Sequence, residues 1–255
     1  MRAVAESLGA LLENLIDYAG LYPPAALSLP DVLERYEAHR ASPHAWMLNR
    51  LVLPVARLAD ARPKDGWRIT LLVEGEPGPL PPAVETLETK LPRRLSLPTY
   101  CEAPPERIEG AYAKIRTGGL TPDALPSPDA IAGFLAEAAA RRIPFKATAG
   151  LHHPFRSPRP LTYAADSPRA VMHGFVNVFA AAAFAWHGAE PDALVALLDE
   201  TEPRSFEFGA AELRWRGLRL STDQIRAARA AFAHSFGSCS FEEPIADLRD
   251  LELLP

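Results

Sequence analysis

The chain has 255 residues, 48% hydrophobic and 23% charged, which is long enough to bury a sizeable core. A formal charge of -5 with no Lys/Arg block excludes the basic footprint of a nucleic-acid binder. Two distant cysteines, Cys101 and Cys239, exclude a CxxC site and suit a reducing compartment, so a cytoplasmic location is expected. The opening "MRAVAESLGALLENLIDYAG" carries Glu6, Glu13 and Asp17 and has no unbroken apolar core, so it reads as neither a signal peptide nor a membrane span.

Short apolar runs ending at Gly or Pro alternate with helical patterns from this point on. "NLIDYAG" reads as the first strand and "LPDVLERYEAHR" as the helix after it. "AWMLNRLVL", "WRITLLVEG" and "LPTYCEAP" follow as strands, the last with a link too short for a full helix. "AYAKIRTGG" leads to the helix "SPDAIAGFLAEAAARR", and "IPFKATAG" to the helical "HGFVNVFAAAAFAWHG" and "PDALVALLDE". "SFEFG", the helix "STDQIRAARAAFAH" and "HSFGSCSF" close the series. "SPDA" and "STDQ" place a serine cap before an acidic first turn.

Eight strand-helix units predict one (β/α)8 barrel domain over 1–255, with an open doubly wound α/β sheet as the alternative. The 26 prolines fall at segment ends and predict short connections. The stretch 151–200 exceeds one unit and is expected to be a helical insertion or a lid. Its Ala/Phe-rich helix is expected in the core or at a subunit contact, which leaves a homo-oligomer open.

Side chains alternate across a strand, so Tyr112, Lys114 and Arg116 share one face while Ala111, Ala113 and Ile115 share the other. Strand "IPFKATAG" repeats this, with Pro144, Lys146 and Thr148 opposite Ile143, Phe145 and Ala147. Helices over the apolar faces aim both lysines and Arg116 inward. The same alternation puts Asp17, Asn49, Thr70 with Glu74, Tyr100 with Glu102, Glu207, and Ser238 with Ser240 on interior faces. Buried charges are paired or used. Lys114 and Lys146, on adjacent strands about 5 Å apart, are each expected to disfavour the other's charge. A lysine that sheds its proton is an amine nucleophile for aldehydes and ketones, with Asp17 or Glu102 to carry protons; Arg116 stays charged and suits an anion. The competing reading is a charge network that only fills the barrel.

These blocks resemble, in order, the class I deoxyribose-phosphate aldolases. "LIDYAGLYPP" is similar to their opening strand, "MLNRLVLPVARLAD" and "WRITLLVEGEPG" to the second and third, "AKIRTGG" to the Schiff-base lysine strand, "FKATAG" to its neighbour, and "FGSCS" to the phosphate-binding turn of the last strand. The resemblance covers about a quarter of the chain. It implies a lyase acting on a small carbonyl compound, with or without a phosphate. Lys114 would form the imine, Lys146 would tune it, Asp17 would be an active-site carboxylate, and Glu102 would stand in for the acidic proton shuttle. Gly237 and Ser238 would offer backbone N–H groups to a phosphate. No cofactor is implied, and the expected partner is a small-molecule substrate rather than nucleic acid or a membrane.

Two further readings remain. His152 and His153, in "GLHHPF", could hold a divalent metal with Glu102 or Cys239, although no HxH or HExxH spacing is present. His173, at the start of the next helix, could cap that helix or contact an anionic group. A non-catalytic barrel that binds a small anion is the third reading. Cys101 and Cys239 alternate away from the interior and read as buried thiols. GxGxxG, Walker and GxSxG motifs are absent.

Overall fold

The computed structural model describes residues 4–255. Helix α1 (Glu6–Leu12) precedes β1 (Ile16–Tyr18), α2 (Leu29–Arg40), β2 (Leu48–Pro54) and a short α3 (Leu58–Ala61). Strands β3 (Ile69–Leu72), β4 (Val84–Thr89), β5 (Thr99–Cys101) and β6 (Tyr112–Arg116) then follow one another with no α-helix between them. Helix α4 (Pro128–Ala140) and β7 (Phe145–Thr148) lead to a hairpin of β8 (Ser157–Pro160) and β9 (Arg169–Met172). Next come α5 (Phe175–Trp186), α6 (Pro191–Leu198), a side sheet of β10 (Phe206–Phe208), β11 (Glu212–Trp215) and β12 (Leu218–Ser221), then α7 (Thr222–Ala231), β13 (Ala233–Ser238) and α8 (Glu242–Asp250).

Eight parallel strands close in the order β1-β13-β7-β6-β5-β4-β3-β2. The architecture is therefore a (β/α)8 barrel, and the open-sheet alternative is set aside by the β1–β13 pairing that seals it. One expected strand lies outside the barrel, and one barrel strand was not expected. "SFEFG" supplies β10, in an antiparallel sheet outside the barrel, so Glu207 is not an interior residue. The missing barrel strand is β4, "VETLET", in a stretch read as connection. Its inward Thr86 and Glu88 and its half-buried Glu85 leave it with little apolar signal, and prolines crowd both ends.

Serine caps form where expected: Ser127 Oγ accepts from the Ala130 N–H at 3.2 Å, and Ser221 and Gln224 make a reciprocal capping box on α7. Helix α5 is apolar on every side because it is enclosed on every side: all its residues from Phe175 to Ala185 are buried. Phe175 stacks on Phe236 at 5.3 Å between ring centres, and Phe145 packs on both Phe179 and Phe232. Its one polar residue, Asn177, donates to the Leu197 and Glu200 carbonyls at 2.9 Å each and accepts from the Arg156 N–H at 3.0 Å. The Ala/Phe stretch is thus a core helix of this chain. The extra length in 151–200 is the β8–β9 hairpin followed by two helices, and Leu161 and Met172 bring the hairpin to the edge of the barrel mouth. Among the described residues, no helix is long and apolar enough to cross a membrane.

Candidate active site

Strands β6 and β7 pair in parallel with Lys114 directly beside Lys146. The alternation read from both strands holds, and the two side chains enter the barrel together. Their surroundings differ. Lys146 is 1% exposed and its Nζ lies 2.5 Å from Asp17 Oδ2 and in contact with Glu88 Oε1. Lys114 is 8% exposed, borders the open cleft, and places Nζ 3.1 Å from Glu88 Oε2 and 3.0 Å from Glu102 Oε2.

Glu88 is the residue the sequence reading missed. One carboxylate oxygen serves each lysine, so the two cations are bridged by an anion instead of facing each other. Mutual repulsion is therefore not the dominant influence on the pair. Burial alone would lower the proton affinity of Lys146, but Asp17 and Glu88 overcome it and hold Lys146 firmly protonated. Burial would likewise raise Glu88, and the Lys146 and Lys114 charges with their hydrogen bonds bring it down to about 2. Three carboxylates, Asp17, Glu88 and Glu102, meet the two ammonium groups. Arg116 adds a third positive charge 4.0 Å from Glu102.

Asp17 is fully buried and saturated with donors. Its Oδ1 accepts from Asn49 Nδ2 at 2.7 Å and from the Arg50 N–H at 3.2 Å, and its Oδ2 accepts from Ser235 Oγ at 2.9 Å as well as from Lys146. It is not part of the cleft lining and holds Lys146 in place. Asn49 in turn positions Asp17. Glu102 is one-quarter exposed and stands on the cleft wall beside Lys114.

The cleft has a volume of about 1420 Å³ and opens at the C-terminal ends of the strands, where barrel enzymes carry their chemistry. Lys114, Arg116, Glu88 and Glu102 form one wall. Val52 and Pro54, on β2 across the barrel from β6, and Leu72, beside Glu88 on β3, add an apolar part to the lining. The loops that continue the lysine strands touch through two glycines: a Cβ on Gly150, whose φ is +77°, would lie 2.9 Å from the Gly118 Cα. Thr117 Oγ1 donates to the Ala149 carbonyl at 2.6 Å across the same contact. This is the physical reason for "TGG" after one lysine and "TAG" after the other.

The last strand is out of phase with the expectation. Phe236 points outward onto α5, so Ser238, of the same parity, faces outward too, while Ser235 and Gly237 face the interior. Ser238 and Ser240 organise the start of α8: the Ser240 N–H donates to Ser238 Oγ and the Glu243 N–H to Ser240 Oγ. Cys239 is buried, yet it borders the cleft and lies 3.8 Å from the Tyr163 hydroxyl, and burial pushes its thiol up. Cys101 is buried beneath the sheet.

The histidine pair is committed elsewhere. His152 Nδ1 meets Glu243 at 3.0 Å and His153 Nδ1 meets Asp247 at 2.6 Å, which staples the loop after β7 to α8. Only His152 touches the cleft. Among the described residues, no three His, Cys, Asp or Glu side chains come together as a metal ion would require. His173 is buried between the Pro126 carbonyl, 2.7 Å from Nε2, and Arg156, 3.2 Å from Nδ1. It ties the hairpin to the β6–α4 link and does not face the cleft. No family model, curated protein or solved structure matches the chain.

Proposed function

We propose that the protein is a lyase of class I aldolase type that forms a Schiff base between Lys114 and a small aldehyde or ketone. The observation carrying this reading is the asymmetry of the lysine pair. Lys146 is sealed below as a fixed cation, while Lys114 meets the cleft with a partly exposed carboxylate 3.0 Å away.

A lysine attacks as the free amine, and Glu102 is placed to take its proton. Attack on the carbonyl and loss of water give the iminium ion. In the cleavage direction, Glu102 then removes the proton of the β-hydroxyl, the C–C bond breaks, and its electron pair enters the iminium to leave an enamine. Lys146 and Arg116 are the fixed cations on either side of Lys114 as that electron pair moves. The cleft around Lys114 has both apolar lining, from Val52, Pro54 and Leu72, and the cations Arg116 and Lys90, so it suits a small carbonyl compound with or without an anionic group.

A non-catalytic barrel is the second reading, favoured by the two carboxylates that already satisfy Lys114. Borohydride reduction of the protein with acetaldehyde, acetone and dihydroxyacetone separates the two by intact mass. The lyase reading expects a stable adduct that Lys114→Met abolishes. No adduct with any of the three would favour the charge network.

A further inference from the structure

Tyr22 lies in the loop after β1 and its ring borders the same cleft as Glu88, Glu102 and Lys114. The loop backbone is fixed: the Tyr22 N–H donates to the Ala19 carbonyl at 2.9 Å, the Tyr22 carbonyl accepts from the Ala26 N–H at 3.0 Å, and the Leu27 N–H donates to the Gly20 carbonyl at 2.9 Å. A tyrosine on such a frame has two side-chain torsions and little freedom. Its hydroxyl is buried and has no hydrogen-bond partner among the described residues. Leaving a buried hydroxyl unpaired costs about 1–3 kcal/mol, so an unpaired one beside a reactive group calls for a reason.

The surroundings supply one. Burial, followed by the Glu88 charge, keeps the phenol protonated, with the Lys146 charge opposing them. The hydroxyl is thus a neutral donor within the field of the lysine-bridging carboxylate, in a cleft also lined by Glu102, Lys114 and Arg116. Lys146, Glu88 and Asp17 satisfy one another, while Tyr22 brings to the cleft a hydroxyl with no partner of its own.

We infer that the Tyr22 hydroxyl donates to the carbonyl oxygen of the substrate and escorts that oxygen out as water during imine formation. The inference rests on the Schiff-base reading. Overall, the Lys114 ammonium and the carbonyl compound give a protonated imine and one water: the C–N bond forms, both C–O bonds break, and two ammonium protons leave on the oxygen. Charge is conserved and no external reactant is consumed. As nitrogen adds, the oxygen gains negative charge, and a donor that is free in the resting protein stabilises it without first breaking another hydrogen bond.

The test is the rate of borohydride trapping with acetaldehyde, acetone and dihydroxyacetone in the wild type and in Tyr22→Phe, together with thermal unfolding of both. The inference expects trapping to slow by about 100-fold. It expects the melting temperature to stay level or rise, because an unpaired buried hydroxyl has been removed. Wild-type adduct formation with an unchanged rate in Tyr22→Phe would overturn the role of Tyr22 and leave the Schiff base standing. Slower trapping with a lowered melting temperature would make the hydroxyl structural and also overturn it. Absence of any wild-type adduct would overturn the Schiff-base reading and this inference together.

Discussion

Removing the Lys146 ammonium leaves Asp17 and Glu88 buried with one partner fewer each, and uncompensated buried charge is among the costliest of defects. Lys146→Met is expected to lower stability by about 3–5 kcal/mol in denaturant unfolding. Lys114→Met is expected to be much milder, since Glu88 keeps Lys146 and Glu102 is partly solvated; equal losses would contradict the layered site. Two strongly displaced groups contribute to the acid response. Glu88 titrates near 2 in the folded chain against an ordinary value of 4.5, so its contribution is complete above about 4.5 and is lost as pH falls toward 2. His234, which meets the Tyr100 hydroxyl at 2.8 Å, is pushed by burial, then Arg229 and Arg50, down to about 4 from 6.5. The unfolded chain takes up that proton first, so stability is full above 6.5 and declines as pH falls to about 4. His234→Gln is therefore expected to flatten the unfolding midpoint between pH 6.5 and 4; a slope identical to the wild type would contradict this assignment. Lys114, Lys146 and Arg116 were legible as interior charges because their strands alternate without a break. Glu88 was not, because its strand carries almost no apolar signature. Tyr22 sits on a loop, where periodicity says nothing about direction.

At the scale of elements, the lysine strands pair in register from Ala113–Phe145 to Arg116–Thr148, and the loops that follow them pack in close contact. Gly150→Ala meets both a positive φ and a Cβ 2.9 Å from the Gly118 Cα, which is backbone and has no rotamer to change. A cost of about 1–3 kcal/mol is expected, read as a fall in melting temperature of about 2–10 °C. An unchanged melting temperature would show that the loops part freely. The last strand shows how one bulky residue settles a phase. Phe236 stacks on α5, which fixes Ser238 outward and Gly237 inward, whereas reading small polar residues as interior ones reverses the assignment. The histidine pair illustrates a different limit. Adjacent histidines suggest a metal site when their partners are unknown, and those partners, Glu243 and Asp247, lie more than 90 residues away on α8.

At the scale of the whole molecule, the barrel was legible from alternating strand and helix patterns, and its closure brings Asp17, Glu88, Glu102, Lys114 and Lys146 from five strands or strand ends into one layered cluster. The count of eight came out right through compensating errors: β10 stood in for β4. The arc from β3 to β6, which lacks intervening α-helices, is where the pattern failed, because without helices there is no change of period to mark each strand. The central claim is that this closure divides two neighbouring lysines into a reactive one and a structural one. Peptide mapping of the borohydride-reduced adduct tests it most directly. The account predicts modification at Lys114 with Lys146 unmodified in the folded protein; an adduct on Lys146, or one spread evenly over Lys64 on the surface and Lys90 on the cleft lining, would contradict it.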